Sequence, residues 1–445
     1  MERPNIIYIH SHDTGRYVQP YGHAVPTPNI QRLAAEGVLF RQAFCANPTC
    51  SPSRASLLTG QAAHSCGMTG LVNRGWTLDR PEELLPRLLQ QNGYHTARAG
   101  IQHVVKDQAE GGFDRILPQE AEGKPHELAV EFLAGAPRRP FFLDVGFSET
   151  HRKGEGFAGP PQGEAPTDPR YVRPPAPLPD NETTRRDMAL YIDAARTLDA
   201  YMGAVFDALD AAGLKDDTLV ICTTDHGIAF PTMKCNLTDH GTGVMLVMRG
   251  PGGFGGGQAP DALVSQVDVY PTVCELAGVE RPAFLQGHSL LPLVRGDADA
   301  VREAVFAEVN FHAAYEPQRM ARTARYKYIR RYDGRPTAAM ANCDDSLSKS
   351  HMLENGWRQR AAEAERLYDL VFDPHEAHNL AADAAHAEVL EGMRRRLDRW
   401  MAETDDPLLR GKAVMPPETA VVNDPDSLSP GKDEHFPARS FMGLE

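Results

Sequence analysis

Cys50-Ser51-Pro52-Ser53-Arg54-Ala55-Ser56-Leu57-Leu58-Thr59-Gly60 is the stretch of this chain that says most about its fold and its chemistry. Pro52 fits the first turn of a helix, where its missing N–H costs nothing, and residue 50 would then lie at the helix N-terminus. The free N–H groups and the dipole at that end favour an anion. Arg54 follows one turn later and can reach back toward residue 50. The stretch predicts a helix that presents Cys50 to an anionic ligand.

The same stretch resembles the motif C-x-P-S-R-x-x-x-L-T-G of type I sulfatases, which belong to the alkaline phosphatase superfamily, at every defined position. In that family the cysteine is oxidised to formylglycine. One hydroxyl of the hydrated aldehyde attacks sulfur and the second later expels sulfate, which splits a difficult step into two easier ones. The resemblance implies that Cys50 is the nucleophile and that a formylglycine-generating enzyme matures it. The alternative is a buried structural cysteine before a helix.

A second set of residues resembles the metal site of that family. Asp225-His226-Gly227 matches D-[NH]-G, and Asp13 follows the first predicted strand. With Cys50 they imply a divalent cation, Ca²⁺ ahead of Mg²⁺ or Mn²⁺, which would bind a sulfate oxygen and polarise the diol. The family usually has two aspartates where this chain has His12-Asp13. His12 is then a ligand or a neighbouring group, and it leaves the identity of the metal open. The alternative for the aspartates is helix capping.

Two histidines follow further predicted strands. Ser148-Glu149-Thr150-His151 stands in the place of the family's H-x-P-H segment, and the resemblance implies that His151 is the general acid for the leaving group. Glu149 would read a substrate amine or hydroxyl. Gly100-Ile101-Gln102-His103 stands in the place of G-K-x-H, so His103 matches and would assist His151, whereas Ile101 replaces a lysine. The alternative for His151 is an ordinary surface histidine.

Basic residues are needed around a sulfate ester because the group is an anion. Lys234 matches the basic residue that follows the metal motif of the family, and the resemblance implies that it holds the sulfate together with Arg54 and the cation. Arg74 or Lys106 would restore the charge that Ile101 removes. His312, in the C-terminal part of the chain, would touch the sugar, and a structural role is the alternative.

Short apolar runs alternate with helical patterns over the first two thirds of the chain. Residues 5–10, 141–147, 218–224 and 244–248 are predicted strands, and 82–93 and 187–213 are predicted helices. This alternation predicts an α/β fold with a large, mostly parallel sheet covered by helices on both faces. Ligands bind beyond the carboxyl ends of such strands, where the polar clusters fall. The resemblance specifies an alkaline-phosphatase-like sandwich.

The pattern changes near residue 300. Residues 304–310, 319–331 and 367–371 are predicted strands of a small antiparallel sheet, and 390–404 is a predicted helix. The predicted organisation is a catalytic domain over 1–299, a smaller C-terminal α/β domain over 300–407, and an irregular tail over 408–445. Residues 154–179, rich in proline and glycine, are predicted to form a long surface loop over the site.

Bulk properties narrow the class of protein. A formal net charge of -14 argues against a nucleic-acid partner, and no apolar run predicts a membrane span. The seven cysteines are scattered and form neither a disulfide framework nor a zinc ribbon. No signal peptide is recognised, so we expect a cytoplasmic protein, although a trimmed secreted form would look the same. A homo-oligomer is left open.

Among sulfatases, the chain is most similar to the heparan N-sulfatase (sulfamidase) type. The supporting segments are residues 50–60, 225–231, 310–312, 373–381 and 403–407. The implied reaction is hydrolysis of a sulfate ester or sulfamate of a small sulfated saccharide, with N-sulfoglucosamine as the leading candidate. The alternatives are a phosphate or phosphonate monoester hydrolase on the same scaffold and a sulfoglycan-binding pseudoenzyme. The departures at His12 and Ile101 motivate the pseudoenzyme.

Overall fold

The computed structural model of the chain describes residues 3–118, 124–431 and 435–444. Its strands are β1 (Asn5–Ser11), β2 (Val38–Leu39), β3 (Gln42–Phe44), β4 (His95–Gly100), β5 (Arg115–Ile116), β6 (Phe141–Gly146), β7 (Thr218–Thr224), β8 (Leu246–Arg249), β9 (Leu263–Ser265), β10 (Ala304–Phe311), β11 (Tyr315–Thr323), β12 (Tyr326–Arg331), β13 (Glu365–Asp369), β14 (Val421–Val422) and β15 (Phe436–Pro437). Its helices are α1 (Pro28–Glu36), α2 (Cys50–Thr59), α3 (Leu85–Gln91), α4 (Pro125–Ala134), α5 (Glu182–Ala211), α6 (Asp239–Thr242), α7 (Val269–Ala277), α8 (Leu291–Arg295), α9 (Leu347–Glu354), α10 (Ala387–Glu403) and α11 (Ala438–Phe441). No helix in these ranges is long and apolar enough to cross a membrane.

A seven-stranded sheet forms the centre of the molecule, in the order β2-β8-β7-β1-β6-β4-β5. Strands β7, β1, β6 and β4 are neighbours and run in parallel. Strand β8 is antiparallel to β7 and to β2. Because the four parallel strands are adjacent, the loops at their carboxyl ends meet along one edge of the sheet. The predicted mostly parallel sheet is confirmed.

The alternation of side chains along β1 explains the layers. Ile6 and Tyr8 belong to a buried cluster that contains apolar side chains of α2, α3 and α7. Ile7 and Ile9 point to the opposite face, where a second cluster contains side chains of α1, α4 and α5. Successive residues of a strand face opposite sides of a sheet, so a strand that is apolar throughout is covered on both faces.

Helix α2 packs on the face of the sheet that carries Ile6 and Tyr8. Thr49 is extended just before the helix, and all residues of α2 are buried. The helix ends at Gly60, which takes the left-handed conformation with φ 65° and whose N–H donates to the carbonyl of Ser56. A Cβ atom at residue 60 would lie 2.5 Å from Leu285 Cδ2 and 3.3 Å from Tyr270 Cβ. Both the backbone angle and the close neighbours therefore require glycine here.

The C-terminal part contains a four-stranded antiparallel sheet in the order β10-β11-β12-β13, with α10 packed on it. Buried side chains of α10, including Leu390 and Leu397, belong to the same apolar cluster as Ile6 of β1. Because the core is continuous between the two sheets, the domain boundaries at 299 and 407 stay predictions.

The observed elements depart from the predicted ones mainly at their ends. Helix α5 begins at Glu182, since Asn181 and Thr184 form a capping box before the apolar pattern becomes visible. The predicted helix over 82–93 is a short 3-10 turn followed by α3, because Leu84 is extended between them. The predicted strand over 319–331 is two strands, β11 and β12. The tail, predicted to be irregular, contains β14, β15 and α11.

The loop predicted to lie over the site runs largely elsewhere. Its residues Glu164–Ala176 supply several side chains to an 830 Å³ cavity that is also lined by Tyr17 and His240. None of the residues lining this cavity is a predicted site residue. The backbone N–H and the hydroxyl of Thr167 donate to Asp193 of α5, and the carbonyl of Ala165 accepts from Arg196 of the same helix. These hydrogen bonds hold this part of the loop along α5.

Candidate active site

Three segments converge on the N-terminus of α2. The loop after β1 brings His12 and Asp13, the loop after β7 brings Asp225, and α2 itself brings Cys50. One ligand atom from each of these residues lies within 4.8 Å of the others. All four side chains are buried. The structure thus brings together the predicted nucleophile and the predicted metal ligands, which come from distant parts of the sequence.

Asp225 is held in place by hydrogen bonds to both of its carboxylate oxygens. Oδ1 accepts from the backbone N–H groups of Asp13 at 2.8 Å and His226 at 2.9 Å. Oδ2 accepts from the Arg54 guanidinium at 2.9 Å. Burial alone would raise the pKa of Asp225, but His226, Arg54 and His12 outweigh it and hold the pKa well below its usual range. Asp225 is therefore a fixed carboxylate.

The serines of the motif connect α2 to the surrounding loops. The hydroxyl of Ser53 donates to the carbonyl of Asp225 at 2.5 Å. The hydroxyl of Ser51 accepts from the backbone N–H of Val72 at 3.1 Å. Ser53 thus holds the start of α2 against Asp225, and Ser51 holds it against the loop at Val72.

Arg54 has protein partners that the sequence did not predict. Besides Asp225, it donates to the carbonyl of Ser11 at 2.8 Å and to Nδ1 of His10. The other ring nitrogen of His10 lies 2.8 Å from Asp144 Oδ1. Arg54 thus orients a ligand of the predicted metal, and its direct contact with sulfate stays a prediction. Sequence reasoning missed His10 and Asp144, although an acid inside the apolar strand β6 was a readable signal.

Lys234 is buried between two carboxylates, and its predicted contact with sulfate stays a prediction. Its ammonium is 3.0 Å from Asp13 Oδ2 and 3.0 Å from Asp344 Oδ2. Burial would lower the pKa of Lys234, but Asp13 and Asp344 raise it well above its usual range, so the side chain stays charged. Asp344 was not found from the sequence, because it lies in a loop without a recognisable pattern. His312 is buried nearby, and burial together with the Lys234 charge lowers its pKa.

The three predicted histidines near the nucleophile form one group. The ring of His12 is 5.3 Å from that of His151 and 5.9 Å from that of His103, measured between centroids. Nδ1 of His151 faces the carbonyl of Arg152 at 2.8 Å, which leaves Nε2 available to a ligand. Burial, followed by the Arg54 charge, lowers the pKa of His103 to about 4.

The segment that carries His151 also supports the first loop. The hydroxyl of Thr150 donates to the carbonyl of His12 at 2.5 Å. Glu149 is half-buried, and its carboxylate accepts from the N–H of Ser148 at 2.9 Å. Burial raises the pKa of Glu149. The predicted contact between Glu149 and a substrate amine or hydroxyl stays a prediction.

Arg74 and Lys106, the two residues predicted to restore the charge that Ile101 removes, differ in burial. Ile101 is half-buried and Lys106 is exposed. Arg74 is buried, donates to the carbonyl of Pro430 at 3.0 Å, and lies close enough to His312 to lower its pKa. Its Nη1 has no hydrogen-bond partner within residues 3–118, 124–431 and 435–444. Arg74 therefore fits a contact with substrate better than Lys106.

The donor set fits a divalent cation. Asp13 Oδ1 and both ring nitrogens of His12 are buried without a hydrogen-bond partner in the described part of the chain. Buried polar atoms are rarely left unpaired, and a metal ion would satisfy them. Burial raises the pKa of the Cys50 thiol, so the unmodified side chain is neutral. The thiol marks the position that a formylglycine diol would occupy.

Comparison with known proteins places these features in a family. The model of the sulfatase family matches residues 4–279, and a model described as the N-sulphoglucosamine sulphohydrolase C-terminal region matches residues 234–349. The N-sulphoglucosamine sulphohydrolase of Homo sapiens is 31% identical over 440 residues, which cover 86% of this chain and 87% of the human protein.

Solved structures share the fold. A structure determined in complex with its substrate D-glucosamine-2-N,6-O-disulfate has a TM-score of 0.69 and 19% identity, with 91% of this chain and 99% of that chain covered. The phosphonate monoester hydrolase of Agrobacterium radiobacter has a TM-score of 0.70 and 23% identity, with 90% and 96% covered. At these identities the likeness establishes the alkaline-phosphatase-like fold and leaves the substrate to other evidence.

Proposed function

The chain belongs to the sulfatase family and is a sulfatase of sulfated sugars, and we propose that it removes the sulfate of an N-sulfoglucosamine residue in a small saccharide. The observation that carries this proposal is the buried cluster of Cys50, His12, Asp13 and Asp225, with ligand atoms within 4.8 Å of one another. This cluster supports a nucleophile at residue 50 beside a site for a divalent cation. Lys234 supplies a further buried positive charge against Asp13.

The chemistry follows from the residues around position 50. In the matured protein, one oxygen of the formylglycine diol forms a bond to sulfur while the bond from sulfur to the sugar oxygen or nitrogen breaks. The second hydroxyl then gives its proton to a neighbouring imidazole, the aldehyde reforms, and sulfate leaves with the electrons of the carbon–oxygen bond. Water adds to the aldehyde and restores the diol. His12, Asp13, Asp225, His226 and residue 50 would hold a divalent cation, which would supply Lewis acidity toward a sulfate oxygen and the diol.

The proton steps belong to the histidines. Nδ1 of His151 donates to the carbonyl of Arg152, so His151 acts as general acid in its imidazolium form and gives the Nε2 proton to the leaving oxygen or nitrogen. His103 assists as a neutral imidazole, because its pKa of about 4 keeps it unprotonated near neutral pH. Lys234 neutralises sulfate charge. Asp344 and Asp13 fix its position through their ion pairs.

The substrate proposal draws on the relatives. The human relative is an N-sulphoglucosamine sulphohydrolase, and the C-terminal region of this chain matches the model named for that enzyme. His312 follows β10, and it lies close enough to Lys234 and Arg74 for both positive charges to lower its pKa. We assign His312 and Arg74, with Glu149, to recognition of the sugar and its anionic groups.

The first experiment asks whether Cys50 is converted. We expect that coexpression with a formylglycine-generating enzyme gives a tryptic peptide, Gln42–Arg54, with the mass of formylglycine at residue 50. A control sulfatase expressed in the same cells shows whether the conversion system works. An intact thiol in this chain beside a converted control would remove the proposed nucleophile.

The second experiment addresses the substrate with the converted protein. We expect release of sulfate from N-sulfoglucosamine and slower release from its 6-O-sulfo isomer, with Cys50→Ala as the inactive control. Sulfate and phosphate esters of one phenol, compared in the same assay, test the phosphatase alternative. Faster hydrolysis of the phosphate ester would favour that alternative. Tight sulfoglycan binding without turnover would favour a pseudoenzyme.

A further inference from the structure

The metal ligand set of this chain contains an imidazole where its family usually has a carboxylate. His12 is 2% exposed, and its Nδ1 faces Asp225 Oδ2 at 3.2 Å. Neither ring nitrogen makes a hydrogen bond to any residue that the structure describes. A buried imidazole without hydrogen bonds is costly unless a ligand satisfies it. The ring is therefore built into the site as a nitrogen donor.

His226 presents a second nitrogen to the same space. Its Nδ1 lies 3.0 Å from the carbonyl of Gly227, which can only accept, so the proton sits on Nδ1. The lone pair of Nε2 then points to the cluster, 3.3 Å from Asp13 Oδ1 and 3.4 Å from Cys50 Sγ. A backbone acceptor that fixes the tautomer in this way is a common support for a metal-binding histidine.

The two carboxylates each have one oxygen left for an ion. Asp13 Oδ2 is taken by the Lys234 ammonium, which leaves Oδ1. Asp225 Oδ1 is taken by two backbone N–H groups, and Oδ2 accepts one hydrogen bond from Arg54 at 2.9 Å, so an ion would bind at the remaining lone pair of Oδ2. Both aspartates are thus arranged to bind through a single oxygen. Lys234 and Arg54 also offset part of their negative charge.

The resulting set suits some ions better than others. The protein offers two carboxylate oxygens, two imidazole nitrogens and the side chain of residue 50. Ca²⁺ prefers six to eight oxygen ligands, and its affinity rises with the number of charged oxygens. Imidazole nitrogens favour transition-series ions. From this geometry we infer that the site binds a transition-series divalent ion of the Mn²⁺ or Zn²⁺ type in preference to Ca²⁺. The inference concerns the same site as the proposed function and rests on it.

The decisive measurement is metal competition on the matured wild-type protein. After removal of metal with a chelator, the protein is titrated with Mn²⁺, Zn²⁺ and Ca²⁺ separately and in competition, with bound metal read by elemental analysis and by the thermal unfolding midpoint. We expect Mn²⁺ and Zn²⁺ to bind roughly tenfold or more tightly than Ca²⁺. Tighter binding of Ca²⁺ would overturn the inference. Neither result depends on turnover, so failure of the proposed substrate is a separate outcome.

Two substitutions of His12 test whether its ring nitrogen binds the metal. His12→Asp restores a carboxylate and should move the preference toward Ca²⁺ by roughly tenfold or more. His12→Asn offers oxygen without charge and should weaken Mn²⁺ binding while removing one nitrogen coupling from the electron paramagnetic resonance spectrum of bound Mn²⁺. His378→Asp makes the same change of charge on a side chain that is 85% exposed, and serves as the control. Unchanged metal ranking in His12→Asp, with folding intact, would also overturn the inference.

Discussion

Arg54 illustrates how much of the site depends on a single side chain. Its guanidinium contacts His10, the carbonyl of Ser11 and Asp225 at once, and it is 2% exposed. The planar fork of arginine can reach several acceptors in fixed directions, whereas a lysine ammonium is a point charge. The side chain therefore links the β1 strand, the nucleophile helix and the metal ligand Asp225.

Arg54→Lys is expected to keep the charge and lose the geometry. Because Asp225 would lose its side-chain donor, we expect weaker binding of the divalent ion and a fall in kcat/KM of about 10²-fold. Steady-state kinetics and metal titration measure both effects. Arg170→Lys, at an exposed position, is the control. Wild-type metal affinity in Arg54→Lys would contradict the role assigned to the guanidinium.

At this scale the sequence predicted the residues that belong to a motif. Cys50, Asp13, Asp225 and Lys234 are brought together as expected from strand ends and the α2 N-terminus. The predicted sugar contacts of Glu149 and His312 stay predictions. His10, Asp144 and Asp344 were not predicted, because their role comes from partners far away in the chain.

Helix α2 shows which features of an element depend on the local sequence and which depend on distant residues. Its start is encoded locally by Thr49 and the motif, and its end by Gly60 in the left-handed conformation. The reason that residue 60 tolerates no side chain lies in Leu285 and Tyr270, which approach from distant parts of the chain. Local sequence thus sets the helix ends, and packing sets how strictly they are kept.

Gly60→Ala tests this packing. We expect the free energy of unfolding to fall by about 2–4 kcal/mol, from the strained φ and from overlap with Leu285. Gly93→Ala is a matched control, since Gly93 has φ 87° and a Cβ atom there would meet no other atom within 4 Å. Its cost should be near ~1 kcal/mol, from backbone strain alone. Equal losses in the two variants, measured by denaturant unfolding, would show that packing adds nothing.

Element boundaries were predicted correctly where an apolar pattern begins or ends. They were missed where polar residues set the boundary. Strand β7 matches the prediction, because its apolar run starts and stops abruptly. Helix α5 starts earlier than predicted, because its first turn is polar and only the capping box marks it. The apolar period cannot reveal such a turn.

Over the whole molecule, a buried ion cluster ties the small sheet to the catalytic region. Lys327 of β12 lies 2.5 Å from Asp239 and 2.5 Å from Glu376, and Arg322 of β11 lies 3.1 Å from Asp239. Burial would raise the pKa of Asp239, but Lys327, Arg322 and Arg16 hold it below its usual range. Asp239 begins α6, which follows closely in the chain on the loop that carries Lys234.

Lys327→Met tests the importance of this cluster. Removing the ammonium leaves the buried Glu376 without its cation and leaves Asp239 with Arg322, and we expect a loss of about 3 kcal/mol in the free energy of unfolding. Thermal and denaturant unfolding measure the loss. Arg396→Met breaks an exposed pair with Glu303 and should change stability by less than about 1 kcal/mol. Similar small effects in both variants would contradict a supporting role for the cluster.

The sequence by itself determined the α/β class, the mostly parallel sheet and the kind of reaction, because these depend on local patterns and on a motif, and it predicts Cys50 as the nucleophile. Only the tertiary structure decided that Arg54 donates to Asp225, that Lys234 is paired with Asp344, and that His226 lies against Asp13, which forms one cluster with His12. It also showed that the two sheets share a core. These features are contacts between distant residues, and the position of one partner along the chain carries no information about the other.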